Sequence, residues 1–156
     1  MEIDHGFTTD MRYAIAGTFT GGLSSKGYRL LKNEWYKVQS VYPICADQDE
    51  VEGDKTYRSL KDLPEPVDVV VVVHKKALAA DVVREAATLD PKPAIWFMPG
   101  TDSKESIAIC EDNDMKYAKS CVFMHRKLPG IKRFFSYHNW HATLTGANKI
   151  PKQPEI

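Results

Sequence analysis

The 156-residue chain has few cysteines and no net charge. Cys45, Cys110 and Cys121 form no C-x-x-C pair, which favours free thiols in a reducing cytoplasm over a disulfide framework. The 21 basic and 21 acidic side chains balance, so the broad positive field of a nucleic-acid- or lipid-binding surface is missing. We therefore expect a cytoplasmic protein that binds neither nucleic acid nor membrane.

Long apolar segments are also missing. No run approaches the roughly 20 apolar residues that cross a bilayer. The N-terminus, with Glu2, Asp4 and His5, lacks the basic and then apolar layout of a signal peptide. Hydrophobic residues still make up 43% of the chain, which suits one soluble domain that buries a core without disulfides or a metal.

What the sequence contains is an alternation of strand-like and helix-like segments. Strands are predicted over residues 12–16, 38–42, 67–73, 94–98 and 115–118. Helices are predicted over residues 27–35, 77–89 and 102–112. The 67–73 segment holds six valines and one aspartate, a run typical of a strand buried on both faces. The alternation predicts an α/β fold with a doubly wound, mainly parallel, Rossmann-like sheet and helices on both faces.

Four local predictions accompany this pattern. Pro43 should end the second strand, and the acidic residues 47–55 should form a loop. Asp102 should cap the third helix with Glu105 as its capping-box partner. One stripe of apolar side chains should be the buried face of the second helix: Leu78, Val82, Ala86 and Leu89.

A glycine-rich turn joins the first strand to the first helix. Its glycines are Gly17, Gly21, Gly22 and Gly27. A strand that leads through glycine into a helix N-terminus leaves backbone N–H groups free, and the helix dipole adds positive potential there. This favours phosphate binding, although the glycines also suit a tight turn. Ser25 and Lys26 either contact that phosphate or serve as a cap and a solvated cation.

The turn is not a standard nucleotide motif. Residues 23–24 are Leu-Ser, where a Walker A loop requires Lys followed by Ser or Thr. Phe19 takes the place of the second glycine in the dinucleotide-binding pattern. The second strand ends at Tyr42-Pro43 without the acidic residue that would bind a ribose hydroxyl of NAD. The sequence therefore disfavours NAD.

Three segments together form a family pattern. They are Tyr-Ala-Ile-Ala-Gly-Thr at 13–18, Lys-Gly-Tyr-Arg-Leu-Leu at 26–31 and, most specifically, Ser-Leu-x-Asp-Leu-Pro-x-Pro-x-Asp at 59–68. With them, residues 12–128 resemble the small CoA-binding proteins, single Rossmann-like domains akin to the CoA-binding domain of the succinyl-CoA synthetase α subunit. The resemblance implies that CoA lies across the strand ends. Its phosphates would lie at the 17–27 turn, and its adenosine near the second strand and the turn after Val73.

His74, Lys75 and Lys76 follow the valine strand at its carboxyl end, a position where the two lysines would pair with a 3′-phosphate or pyrophosphate. The alternatives are a backbone-bonded histidine and a solvated lysine pair. The predicted site for CoA, or alternatively NADP, consists of Gly17, Thr18, Phe19, Gly21, Gly22, Ser25, Lys26, Gly27, Tyr42, Pro43, His74, Lys75 and Lys76.

No Ser–His–Asp pattern and no paired-carboxylate motif is evident in the sequence. We therefore expect a CoA- or acyl-CoA-binding protein that is non-catalytic or accessory. One alternative is an oxidoreductase or redox sensor linked to NADP or another nucleotide. A second is an interaction protein on this fold that has lost its ligand.

The C-terminal region carries two weaker patterns. A zinc site is one interpretation of Cys121, His125, His138 and His141, although their spacing matches no standard finger. A homodimer patch, or simply core packing, is indicated by Ile131, Phe134, Phe135 and His138. Residues 1–142 are expected to form one domain and residues 143–156 a loose tail.

Overall fold

A computed structural model describes residues 2–4, 6–17, 19, 23–34 and 36–120 of the chain. In chain order the elements are β1 (Glu2–Asp4), β2 (Phe7–Thr8), β3 (Arg12–Ala16), α1 (Leu23–Arg29), a π-helical turn (Leu30–Glu34), β4 (Ser40–Ile44), β5 (Glu50–Val51), β6 (Asp54–Lys55), a 3₁₀ turn (Leu60–Asp62), β7 (Val69–Val72), α2 (Lys76–Ala86), β8 (Ala94–Phe97), α3 (Lys104–Asp112) and β9 (Tyr117–Lys119).

The main sheet has five strands in the order β4-β3-β7-β8-β9, and every neighbouring pair is parallel. The first strand in this sheet, β3, therefore lies between the second, β4, and the third, β7. Each predicted strand has a counterpart in the sheet, displaced by at most two residues at either end. This arrangement confirms the predicted α/β fold.

The core lies in two layers, one on each face of the sheet. Val69 and Val71 of β7 join the layer that contains Tyr28 and Leu31 of the first helix. Val70 and Val72 join the opposite layer with the buried face of α2. All four valines are at most 1% exposed, as expected for a central parallel strand covered on both sides.

Pro43 does not end β4, and that prediction was wrong. It lies inside the strand, opposite Ile15 of β3. Its carbonyl faces away from β3 and accepts a hydrogen bond from the Tyr57 backbone N–H at 2.9 Å. The backbone nitrogen of Pro43 lies on the same side of the strand as this carbonyl, away from β3. Since β4 is an edge strand, the missing N–H of proline therefore removes no hydrogen bond between β4 and β3.

The buried face of α2 is offset from the predicted stripe. Leu78 is 51% exposed, whereas the buried side chains are Ala79, Ala80, Val83 and Ala86. Only Ala86 of the predicted stripe is fully buried, and Val82 and Leu89 are half-buried. The small alanine side chains let the helix approach the sheet closely. The predicted stripe was chosen by the spacing of the larger apolar residues, so it did not include Ala79 and Ala80.

The cap of α3 lies one residue later than predicted. Ser103 is the N-cap: its hydroxyl accepts from the Ser106 N–H at 3.1 Å, and the Ser106 hydroxyl accepts from the Ser103 N–H at 2.9 Å. Asp102 instead forms an ion pair with Lys119 at 3.2 Å. Serine at both positions completes the reciprocal capping box that Asp102 and Glu105 were expected to form.

Two hairpins were not predicted. Strands β1 and β2 pair antiparallel before the main sheet begins. Strands β5 and β6 pair within the segment expected to be a loop. Between them, Glu52 and Gly53 both have positive φ, of 52° and 80°, which matches the two central residues of a type I′ hairpin turn. Helix α1 also begins earlier than predicted, at Leu23 instead of Gly27.

No helix within the described part of the chain is both long and apolar enough to span a bilayer.

Candidate functional site

The sheet has a topological switch point between β3 and β7. From β3 the chain passes through α1 to β4 on one side, and from β7 it passes through α2 to β8 on the other. The two helices lie on opposite faces, so the connections diverge where the carboxyl ends of β3 and β7 meet. A crevice at such a point is where open α/β sheets bind ligands. The segments that follow these strands begin at Gly17 and Val73.

Gly17 lies at the centre of this edge. It is buried, and its N–H donates to the Ile44 carbonyl at 3.2 Å, extending the ladder between β3 and β4. The Val73 N–H donates to the Ala16 carbonyl at 2.8 Å. These two bonds bring the start of the glycine turn beside the segment that leaves β7.

Phe19 and Ser25 are described residues of the glycine-rich segment, and each makes a contact with its surroundings. The Phe19 side chain is 2% exposed and meets the Tyr28 ring edge-on, with centroids 6.5 Å apart. The Ser25 hydroxyl donates to the Phe19 carbonyl at 3.1 Å. Gly27 is buried within α1, while Lys26 is exposed. Phe19 is therefore anchored in the core by its aromatic side chain and bonded through its carbonyl to the first turn of α1.

The segment after β7 leads directly into α2. Lys75 is the N-cap residue, and it makes no side-chain capping bond, since an ammonium group has no acceptor. The first turn of α2 contains no acidic side chain. Lys75 and Lys76 are exposed. An 11-residue helix thus starts at the switch point with its first N–H groups uncapped by side chains and with two cations beside them.

His74 is half-buried at the same edge. Burial lowers the pKa of its imidazole, and the negative charge of Asp47 opposes that effect by raising it. The neutral imidazole is therefore favoured near pH 7, where it both donates and accepts a hydrogen bond. Asp47 belongs to the segment that follows β4, so three connections contribute to this edge.

The segment after β8 closes the other side. Thr101 is 6% exposed, and its hydroxyl donates to the Met98 carbonyl at 2.7 Å, with the Val72 carbonyl at 3.3 Å. The Thr101 N–H also donates to the Met98 carbonyl at 3.1 Å, closing a turn with Pro99 and Gly100 at its centre. Gly100 has a φ of 82°, as the third position of a type II turn requires.

Tyr42 and Pro43 are directed elsewhere. The Tyr42 hydroxyl donates to Glu65 at 2.7 Å, and Glu65 lies 3.9 Å from Arg12 at the start of β3. Tyr42 and Pro43 also line a cleft of about 420 Å³ along the outer edge of β4, together with Lys32. The hydroxyl of Tyr42 is thus tied toward the amino end of the sheet, and a ligand contact by either residue stays a prediction.

Of the predicted site, the structure brings Gly17, His74, Lys75 and Lys76 to one edge. Thr18, Gly21 and Gly22 lie outside the described residues. So do the proposed zinc ligands and apolar stripe of the C-terminal region: Cys121, His125, His138, His141, Ile131, Phe134 and Phe135. Across the part of the chain that the structure covers, no group of three His, Cys, Asp or Glu side chains is arranged to hold a metal ion.

Residues 12–127 match a family model described as "CoA binding domain". The chain belongs to this CoA binding domain family. The match spans most of the chain and confirms the resemblance drawn from the 13–18, 26–31 and 59–68 segments. Membership supports CoA binding by this domain.

One relative of this CoA-binding domain is the α subunit of the ADP-forming acetate–CoA ligase II of Pyrococcus furiosus. The two are 31% identical over 75 residues, which is 47% of this chain and 16% of that subunit. A second is the ADP-forming 4-hydroxybutyrate–CoA ligase of Nitrosopumilus maritimus, 28% identical over 59% of this chain and 12% of that protein. The chain therefore matches only a small part of each relative's length.

A solved structure of similar size comes from a conserved hypothetical protein of Pyrococcus furiosus. It is 28% identical, with a TM-score of 0.59, over 69% of this chain and 90% of that one. A hypothetical protein of Pyrococcus horikoshii shares the fold with a TM-score of 0.65 at 22% identity, over 77% of this chain and 90% of that one. The matched region of this chain thus covers nearly the whole length of each of these two solved chains.

Two residues at this edge were missed by sequence reasoning. One is Asp47, whose charge acts on His74. The other is Arg58, which contacts the segment after β4. Both depend on a contact between β4 and Tyr57, which no local periodicity reveals.

Proposed function

We propose that this domain binds CoA or an acyl-CoA at the β3–β7 switch point and serves as a binding or accessory module without catalysis of its own. The observation that carries the proposal is the start of α2. Its first turn has no side-chain cap and no acidic residue, and it is preceded by Lys75 beside the carboxyl ends of β3 and β7.

The chemistry of this edge suits the anionic part of CoA. Free N–H groups at the beginning of a helix donate hydrogen bonds to phosphate oxygens, and the helix dipole adds to the attraction. Lys75 and Lys76 supply positive charge that a 3′-phosphate or pyrophosphate pairs with. His74, whose pKa is lowered by burial, contributes hydrogen bonding without a full charge near neutral pH.

An accessory role is supported by the relatives and by what the edge contains. The ADP-forming ligase subunits that resemble the chain are several times longer than the region they share with it. Among the described residues, the four side chains named at the switch point, His74, Lys75, Lys76 and Asp47, include no hydroxyl or thiol nucleophile. We therefore propose that this domain binds CoA and does not itself form the thioester bond.

Calorimetric titration of the full 156-residue chain tests this proposal, with CoA, acetyl-CoA, NADP and NAD as ligands. We expect CoA or acetyl-CoA to bind and to raise the melting temperature, because a ligand that binds only the native state stabilises it by mass action. NAD should bind at least tenfold more weakly, a difference of about 1.4 kcal/mol. Binding of NADP or NAD with no response to either CoA would contradict the proposal.

A further inference from the structure

The segment after β4, residues 45–49, is held by a run of bonds from residues 56–58. We call it the β4 loop. The Cys45 N–H donates to the Tyr57 carbonyl at 2.9 Å, and the Thr56 N–H donates to the Asp49 carbonyl at 3.0 Å. The Thr56 hydroxyl also donates to the Gln48 carbonyl. Both ends of the loop are thus fastened to one short extended stretch.

Arg58 bridges the two ends of the β4 loop with one guanidinium group. Its Nη1 donates to the Cys45 carbonyl at 3.0 Å, and its Nη2 pairs with the Asp49 carboxylate at 2.8 Å. Two N–H groups of a rigid planar fork therefore fix the separation of the first and last residues of the loop. A lysine has one flexible ammonium and cannot hold both points in the same geometry.

The middle of the β4 loop carries Asp47, which is exposed. Asp47 lies near enough to His74 for its charge to raise the imidazole pKa against the effect of burial. Asp47 comes from the connection after β4 and His74 from the connection after β7, so this interaction joins two different walls of the crevice. Its geometry depends on where the loop is held.

We propose that Arg58 is a positioning residue of the ligand site, which clamps the β4 loop so that Asp47 faces His74. This inference rests on the proposed binding of CoA at the switch point. Arg58 acts through the loop, since within the described residues its side-chain bonds go to Cys45 and Asp49 and not to the residues after β7. A loop already ordered in the free protein loses less entropy when ligand binds.

The clamp is expected to affect binding more than folding stability. The Arg58 side chain is 50% exposed and that of Asp49 is 97% exposed, and ion pairs in such positions contribute little to stability. Arg84 offers a matched control: it is 53% exposed, pairs with Asp81 at 2.8 Å and with Glu105, and lies on the α2–α3 surface. Removing Arg84 deletes an equally exposed cation with two partners but leaves the β4 loop intact.

The test compares Arg58→Lys, Arg58→Ala and Arg84→Ala with the wild-type chain. The His74 pKa is measured by NMR titration of its ring protons, which are assigned with a His74→Asn variant. In both Arg58 variants the His74 pKa should fall, because a released loop withdraws Asp47. Loss of the Arg58 charge alone would raise that pKa, and Arg58→Lys keeps the charge, so a fall indicates loop release. Asp47→Asn should lower the pKa in the same direction, and Arg84→Ala should leave it unchanged.

CoA affinity is measured on the same variants. Arg58→Lys should weaken CoA binding roughly tenfold, as expected when a loop must be ordered on binding, with Arg84→Ala unchanged. If the wild-type chain binds no CoA, the proposed function fails while the His74 pKa still decides whether the clamp exists. An unchanged His74 pKa in Arg58→Lys, or equal loss of affinity in Arg58→Lys and Arg84→Ala, would overturn the inference.

Discussion

Single residues at the switch point differ in what they offer a ligand. Gly17 contributes only backbone, and its N–H is already bonded to Ile44. Phe19 contributes packing, with its side chain buried against Tyr28. Lys75 and Lys76 are exposed after the carboxyl end of β7, and under the proposed function they are the side chains that we expect a phosphate to contact first.

Replacing both lysines after β7 tests their role. A charge-assisted bond to the 3′-phosphate contributes roughly 1.5–3 kcal/mol, so Lys75→Ala with Lys76→Ala should weaken CoA binding by at least tenfold. Dephospho-CoA, which lacks that phosphate, should lose little affinity. Raising the salt concentration should weaken CoA binding more in the wild type than in the double variant. Calorimetric titration with both ligands measures these differences.

A matched control for this experiment lies at the other end of the sheet. Lys61, in the 3₁₀ turn, and Lys92, before β8, are both exposed and remote from the strand carboxyl ends. Lys61→Ala with Lys92→Ala removes the same charge and should leave both affinities unchanged. Parallel losses for CoA and dephospho-CoA, or equal losses in the two double variants, would remove Lys75 and Lys76 from the site.

Between elements, β3 and β7 are joined at their amino ends by one carboxylate. Asp68 accepts from the Arg12 backbone N–H at 2.8 Å and from the Arg12 guanidinium at 3.1 and 3.2 Å. The Asp68 N–H in turn donates to the Arg12 carbonyl at 2.8 Å. These bonds set the relative position of the two strands whose opposite ends form the switch point.

This carboxylate gives a pH-dependent contribution to stability. The hydrogen bonds from the Arg12 side chain lower the Asp68 pKa below that of the unfolded chain, near 4. A lowered native pKa stabilises the fold above the unfolded value, and the contribution is lost as the pH falls through the native value. Because the Asp68 side chain is 38% exposed, we expect Asp68→Asn to cost only about 1 kcal/mol at pH 6.

Urea unfolding at pH 6 and at pH 3 measures this contribution. The difference in unfolding free energy between wild type and Asp68→Asn should shrink toward zero at the acid pH. Asp81→Asn, which breaks a 68% exposed pair on α2, should have little effect at either pH. A wild-type advantage that persists undiminished at pH 3 would show that the Asp68 charge is not its source.

The sequence predicted the elements better than the contacts between them. The valine run of β7 and the alternation of strands and helices follow from periodicity, which local residues determine. The position of Pro43 inside β4 does not, because it depends on β4 being an edge strand. The exposure of Leu78 depends on how closely α2 approaches the sheet. Aspartate and serine are both good N-cap residues, so residue type alone does not distinguish Asp102 from Ser103, and the backbone geometry decides for Ser103.

The candidate site was predictable in the same uneven way. Gly17 and the residues after β7 follow from strand ends, since parallel strands present their carboxyl ends at one edge. Arg58 reaches the β4 loop because Tyr57 pairs with Ile44 and brings residues 56–58 beside that loop, which also contains Asp47. A contact of this kind joins segments that share no periodic pattern, so the sequence carried no signal for it.

At the scale of the whole molecule, the two core layers and the parallel sheet hold three connections at one edge. Those connections follow β3, β4 and β7, and the order of the strands makes them diverge around the β3–β7 boundary. Two other concave surfaces lie elsewhere: the cleft along the outer edge of β4, and a depression of about 240 Å³ lined by Leu60, Pro66 and Asp90. We propose that the ligand binds at the switch point and not in either of these.

The most direct test is to map the CoA-induced changes in backbone amide NMR shifts across the described residues of the full-length chain. We expect the largest changes to cluster at Gly17, at residues 73–79 and at Asp47, and residues 60–66 and 89–91 to stay unchanged. Changes concentrated at Ser40 and Lys55, along the outer edge of β4, or around Leu60 and Asp90 would contradict it.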